Sequence, residues 1–231
     1  MLGPRLVVAG TASGVGKTTV ATGLLAALTR AGHRVAGAKV GPDFIDPGYH
    51  SLACGRPPRN LDAWLCGADA VPALAGRAAS GADLLVVEGV MGLFDGAADG
   101  TVSSTADVAS LLDAPVVLVV DAAAVSRSVA AVVHGFHEFD RAVGVAGVIL
   151  NRVGSATHET LLREALAPLG VPVLGALHRD DRFTWRDRHL GLVPVAERRR
   201  QVEAALGVLA TAVAESVDLD AVVRLAATAP A

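Results

Sequence analysis

A chain of 231 residues, 52% apolar and with a formal net charge of −3, has the size and core-forming content of one large α/β domain. The near-neutral charge and the lack of a Lys/Arg-dense block argue against nucleic acid as the main partner. The most apolar stretch, Ala114 to Val120, is stopped by Asp121 far short of a membrane span, and a strand starting by Arg5 leaves no room for a signal peptide, so a cytoplasmic protein with no membrane partner is expected.

Arg5–Ala9 reads as the first strand and Lys17–Ala31 as the first helix, with Gly32 where a helix C-cap is expected. Between them lies Gly10-Thr11-Ala12-Ser13-Gly14-Val15-Gly16-Lys17-Thr18-Thr19, the glycine-rich turn of a phosphate loop. Glycines let backbone N–H groups crowd round an anion, and the helix adds the positive end of its dipole. Thr11, Ser13, Gly14, Val15, Gly16, Lys17, Thr18 and Thr19 are therefore expected to bind a nucleotide. Lys17 would reach the β- and γ-phosphates, and the Thr18 hydroxyl would hold Mg²⁺. One position departs from the common pattern: Thr11 stands where its first glycine belongs, and Gly10 comes one step early.

Val35–Val40 is a second strand. It runs into Gly41–His50, whose prolines and glycines predict a loop without regular structure. Weakly helical segments follow, interrupted at Gly55-Arg56-Pro57-Pro58, then a firmer helix over Ala70–Ala79. Asp83–Gly89 has a wholly apolar interior, Leu84–Val87, as in a strand buried on both faces; Val90–Val102 is a long loop and Ser104–Leu112 a helix. Strands at Pro115–Val120, Val145–Asn151, Val171–Ala176 and His189–Val193 alternate with helices at Arg127–Phe139, Thr157–Ala167 and Ala196–Ser216, and a shorter helical piece covers Asp220–Ala227. This alternation predicts an α/β, P-loop NTPase-like fold, a mostly parallel sheet with helices on both faces. Ligands of such sheets sit at the carboxyl ends of the strands, so the phosphate loop, Gly41–His50 and Glu88–Asp95 should converge on one crevice.

Acids gather at that edge: Asp43, Asp46, Glu88 and Asp95. A Mg²⁺ shared between Thr18 and nucleotide phosphates needs one or two such carboxylates and several waters. Ser104 and Thr105 open a helix, where hydroxyl and backbone donors suit a substrate carboxylate or a plain helix cap. Cys54 and Cys66 are too few and too irregularly spaced for disulfides or zinc, and each reads as a small buried residue. His134, His137 and Glu138 have metal-like helical spacing but no third ligand, and Trp64 and Trp185 read as packing residues.

Four stretches carry a more specific signal: Lys39-Val40-Gly41-Pro42-Asp43-Phe44-Ile45-Asp46-Pro47-Gly48-Tyr49-His50, Asn60-Leu61-Asp62, Val87-Glu88-Gly89-Val90-Met91-Gly92-Leu93-Phe94-Asp95-Gly96 and Arg188-His189-Leu190-Gly191-Leu192. Over essentially the whole chain they resemble the cobyrinate (or hydrogenobyrinate) a,c-diamide synthases, in a wider group with dethiobiotin synthetase, cobyric acid synthase and the partitioning ATPases. The resemblance implies an ATP- and Mg²⁺-dependent ligase of cobalamin biosynthesis. Its substrate would be a corrin-ring carboxylic acid, whose a and c side chains are converted to acyl phosphates and then amidated by ammonia. It implies that Asp43 and Glu88 bind the metal with Thr18, that Lys17, Asp46 and Asp95 serve the transfer, and that Asn151 reads adenine. It also places Asp46, Tyr49, His50 and Asp95 in the corrin site, with Ser104 a candidate for the substrate carboxylate.

Such proteins usually continue into a glutamine-hydrolysing domain. With the last residues at Pro230-Ala231, residues 1–231 are expected to be a single synthetase domain that takes ammonia from a glutaminase outside this chain, and a homodimer is typical of the wider group. Cobyric acid synthase and a nickel-sirohydrochlorin a,c-diamide synthase are the rival enzymes, and a partitioning-type switch ATPase is the rival of another class. The Gly41–His50 stretch argues against cobyric acid synthase, and Ala12 stands where the partitioning ATPases carry an extra lysine.

Overall fold

The computed structural model describes residues 2–98, 100–180, 182 and 199–230. Among these, the strands are β1 (Arg5–Gly10), β2 (Val35–Val40), β3 (Arg59–Leu61), β4 (Leu84–Glu88), β5 (Val116–Asp121), β6 (Val145–Val153) and β7 (Val173–His178). They form one sheet in the order β3-β2-β4-β1-β5-β6-β7, and every neighbouring pair is parallel. The helices are α1 (Lys17–Arg30), α2 (Asp46–Cys54), α3 (Ala63–Cys66), α4 (Ala70–Ala79), α5 (Thr105–Leu111), α6 (Ser128–Phe139), α7 (Ala156–Leu166), α8 (Arg199–Ser216) and α9 (Leu219–Ala226).

The strand period of two builds two cores from one sheet. Along β1, Leu6 and Val8 join α1, α8 and α9, whereas Val7 and Ala9 join α4, α5 and α6. All four side chains are wholly buried, and each such burial of a Val or Leu stabilises the fold by about 1.5–3 kcal/mol. The sheet is therefore covered on both faces, as the apolar strands predicted. No helix among the described residues is long and apolar enough to cross a membrane.

Three local expectations need correction. Gly41–His50 is not irregular throughout, because α2 begins at Asp46. Pro47 lies in its first turn, where a missing N–H costs nothing, and Asp43 Oδ1 accepts from the backbone N–H groups of Ile45 and Asp46 at 2.7 and 3.1 Å. The second correction is β3, a three-residue edge strand on β2 within a segment expected to be weakly helical. Thirdly, Trp64 is 62% exposed rather than packed, and Cys66 is exposed whereas Cys54 is buried. The expected strand His189–Val193, residues 196–198 of the last helix, Trp185 and the Arg188–Leu192 motif lie outside the described residues.

Candidate functional site

The phosphate loop follows β1, the strand between β4 and β5, and α1 starts directly after it. Gly10 is required where it stands: a Cβ there would lie 2.6 Å from Val15 Cγ2 and 2.9 Å from the Lys17 side chain. That contact accounts for the early glycine and leaves Thr11 free of the same constraint. Thr11 N–H donates to the Val119 carbonyl, while Ala12, Ser13 and Gly14 are exposed and form the open lip of the loop. Lys17 folds back, its Nζ donating to the Ala12 carbonyl at 2.9 Å. Burial lowers its pKa, and the neighbouring Lys39 lowers it further, against the opposing pull of Glu88, Asp46 and Asp95.

The three stretches do converge. Leu93 N–H, in the loop after β4, donates to the Gly10 carbonyl at 2.8 Å. Thr18 Oγ1 donates to Glu88 Oε1 in a short hydrogen bond and lies 3.2 Å from Asp46 Oδ2. The carboxylate beside Thr18 on the α2 side is thus Asp46. Asp43, expected at the metal, uses Oδ1 to cap the turn that starts α2.

Lys39 is the residue that the sequence reading left without a role. It is buried near the end of β2, and its Nζ reaches Glu88 Oε1, Asp46 Oδ2 and the Gly89 carbonyl, each at 2.9 Å. Three N–H donors meet three acceptors, so the ammonium is fully satisfied. Burial opposes its charge, but Glu88 and Asp46 together outweigh that and raise the Lys39 pKa above its ordinary value. The available signal was a lone charge between Ala38 and Val40 in a strand otherwise apolar, since such a residue must find buried partners.

The other expected site residues divide. Asp95 Oδ2 accepts from Gly92 N–H at 2.8 Å, which holds it on the loop facing Lys17. Asn151 is buried and its amide donates to the Val15 carbonyl at 2.8 Å, which ties the end of β6 to the phosphate loop. Tyr49 is buried with Val202 and Leu206 of α8, and His50 is fully buried beside Glu88. Ser104 accepts from Asp107 N–H in a capping box at the start of α5. His137 lies 3.8 Å from Glu138, and no group of three metal-ligating side chains occurs among the described residues. Phe44, Trp64, Leu65 and Met91 are exposed beyond the carboxyl ends of β2, β3 and β4.

Comparison with known proteins fits this geometry. Residues 6–193 match the CobQ/CobB/MinD/ParA nucleotide binding domain family. The chain belongs to that family. The chain is 59% identical to hydrogenobyrinate a,c-diamide synthase of Streptomyces coelicolor, over 96% of this chain and 46% of that protein. It is 56% identical to the synthase of the same name from Thermobifida fusca, over 98% of this chain and 48% of the other. It thus spans about half the length of the curated relatives it matches. Chloroplast FtsY from Physcomitrella patens shares the fold, with a TM-score of 0.57 and 16% identity over 89% of this chain and 66% of that one.

Proposed function

We propose that this chain is the ATP-dependent amidating unit of a hydrogenobyrinate a,c-diamide synthase. The similarity to proteins of that name over nearly the whole chain carries the reading, and the buried cluster at Thr18 supports it. A carboxylate is a poor electrophile, so one substrate carboxylate oxygen attacks the γ-phosphorus of ATP and the bond to ADP breaks. Ammonia then attacks the acyl carbon, phosphate leaves, and the nitrogen gives up a proton. Little covalent work falls to the protein in such a reaction; it positions the reactants and neutralises charge.

Magnesium prefers oxygen ligands and keeps several waters. Thr18, Glu88 and Asp46 offer such donors, and the pocket already holds one cation, the Lys39 ammonium. These three residues would hold Mg²⁺, which when bound neutralises phosphate charge. Lys17 leaves the Ala12 carbonyl for the phosphates, and Lys39 keeps the paired acids compensated. The exposed Phe44, Trp64, Leu65 and Met91 give an apolar macrocycle surface to cover. Ammonia comes from a glutaminase unit in the proposed enzyme.

The test supplies the chain with ATP, Mg²⁺, ammonium and either hydrogenobyrinate or its cobalt-containing counterpart. Product mass then counts carboxyl-to-amide conversions. ATP consumption that needs both a corrin acid and ammonia, with two conversions, is the expected result. Turnover driven by DNA or lipid without a corrin acid would instead mark a switch ATPase.

A further inference from the structure

His50 is a fully buried polar side chain beside the site, and its bonding is lopsided. Its ring is fully buried, Nε2 lies 2.6 Å from Glu88 Oε2, and Nδ1 is buried without a hydrogen-bond partner. Three features hold it there. Helix α2 places it one turn beyond Asp46, on the same face. Gly37 of β2 leaves room for it, since a Cβ there would come within 3.0 Å of His50 Cβ and 3.1 Å of Leu25 Cδ1. The Cys54 thiol donates to the His50 carbonyl at 3.1 Å.

A lone pair on Nε2 would face the lone pairs of a carboxylate 2.6 Å away, so the proton of that contact lies on Nε2, which donates to Glu88 Oε2.

We infer that His50 is a positioning residue for Glu88: its Nε2–H occupies Oε2 and turns Oε1 toward Thr18 and the phosphate loop. Glu88 is fully buried at the end of β4, and its two oxygens have divided duties. Oε2 is fastened from behind by His50, while Oε1 meets Thr18 Oγ1 and Lys39 Nζ. Without the rear bond the carboxylate is free to rotate away from the hydroxyl with which it would share a metal ion. Histidine at this place therefore acts through Glu88 rather than on a substrate. The inference rests on the reading of Thr18 and Glu88 as the cation-binding pair.

Two measurements on the whole chain test it. Nitrogen NMR of histidine-labelled protein, assigned by loss of the signal in His50→Gln, should show a proton on Nε2; a ring with a bare Nε2 would overturn the inference. Calorimetry with ADP, with and without Mg²⁺, gives the gain in affinity due to the metal. His50→Phe should cut that gain by about 10- to 100-fold and leave metal-free ADP binding as in the wild type. His50→Gln, which keeps an N–H donor, should recover most of it. A full gain in His50→Phe, or an equal loss with and without the metal, would show that His50 does not act through Glu88. If the Phe variant does not fold, the NMR result on the wild type still decides. Amidation enters neither measurement, so a chain that amidates no corrinoid would count against the proposed function alone.

Discussion

Two cations are buried in this sheet, one at the amino-terminal edge of its strands and one at the carboxyl edge, and they are equally hidden: Arg5 and Lys39 are both 3% exposed. Their partners differ in kind. Arg5 opens β1, and its guanidinium donates to the carbonyls of Leu2, Gly3, Leu112 and Pro230. Burial lowers its pKa, partly offset by Asp113. Lys39 lies near the end of β2 between two carboxylates, which raise its pKa despite burial. Four carbonyls from three places in the chain make a clasp, and a planar fork with five donors suits it. Carboxylates beside a phosphate loop make a site, because an incoming cation can take up their charge.

The largest effect expected from breaking this contrast is at Lys39. Lys39→Met leaves Glu88 and Asp46 buried without their cation and should lower stability by roughly 3–5 kcal/mol in metal-free buffer. Added Mg²⁺ should restore much of the loss, read as a shift of the urea midpoint. The pH dependence has a definite sign. The folded-state pKa of Lys39 is raised, so its contribution is complete below the ordinary lysine value and is lost only as pH rises through the raised one. The stability difference between wild type and variant should therefore be flat across neutral pH and shrink in alkali.

Arg5→Met should cost less, about 1–3 kcal/mol for the carbonyls left unpaired, and urea curves with and without Mg²⁺ should show the same loss. A Mg²⁺-dependent loss would erase the distinction between clasp and site. The smallest effect belongs to an exposed pair at the same edge as Arg5. The Arg34 hydrogen bonds hold the Asp83 carboxyl down at about 2. Its depressed pKa gives a contribution present above the ordinary aspartate value and lost as pH falls toward about 2. Water and salt screen the pair, so Arg34→Ala should return the Asp83 titration in carbon NMR toward the usual value with little change in stability.

Much of this architecture is readable along the chain. The phosphate loop needs only its glycines, Lys17 and Thr18 between an apolar strand and a helix, and each of those signals is local. The strands β1, β2, β4, β5 and β6 announce themselves as short Val-rich runs because both faces of a parallel sheet are buried. The start of α2 was legible but ambiguous: Pro47 and Gly48 mark a loop when read as breakers, whereas Pro47 marks a helix start once Asp43 caps the turn. The edge strand β3 has three residues, too few for any periodicity to register. Trp64 was read as a packing residue and lies at the surface, since an aromatic ring next to a motif looks the same whichever way its helix faces.

The sequence alone determined that a phosphate loop, a parallel sheet and a row of acids at its carboxyl edge belong together, because periodicity and turn chemistry act between near neighbours in the chain. Only the tertiary structure decided that Asp46 rather than Asp43 stands beside Thr18, that Lys39 lies between two carboxylates, and that His50 fastens one of them from behind. Those choices depend on which strands lie side by side and how α2 is turned against β2. Distances of a few ångströms between residues tens of positions apart are set by packing, and no local pattern encodes them.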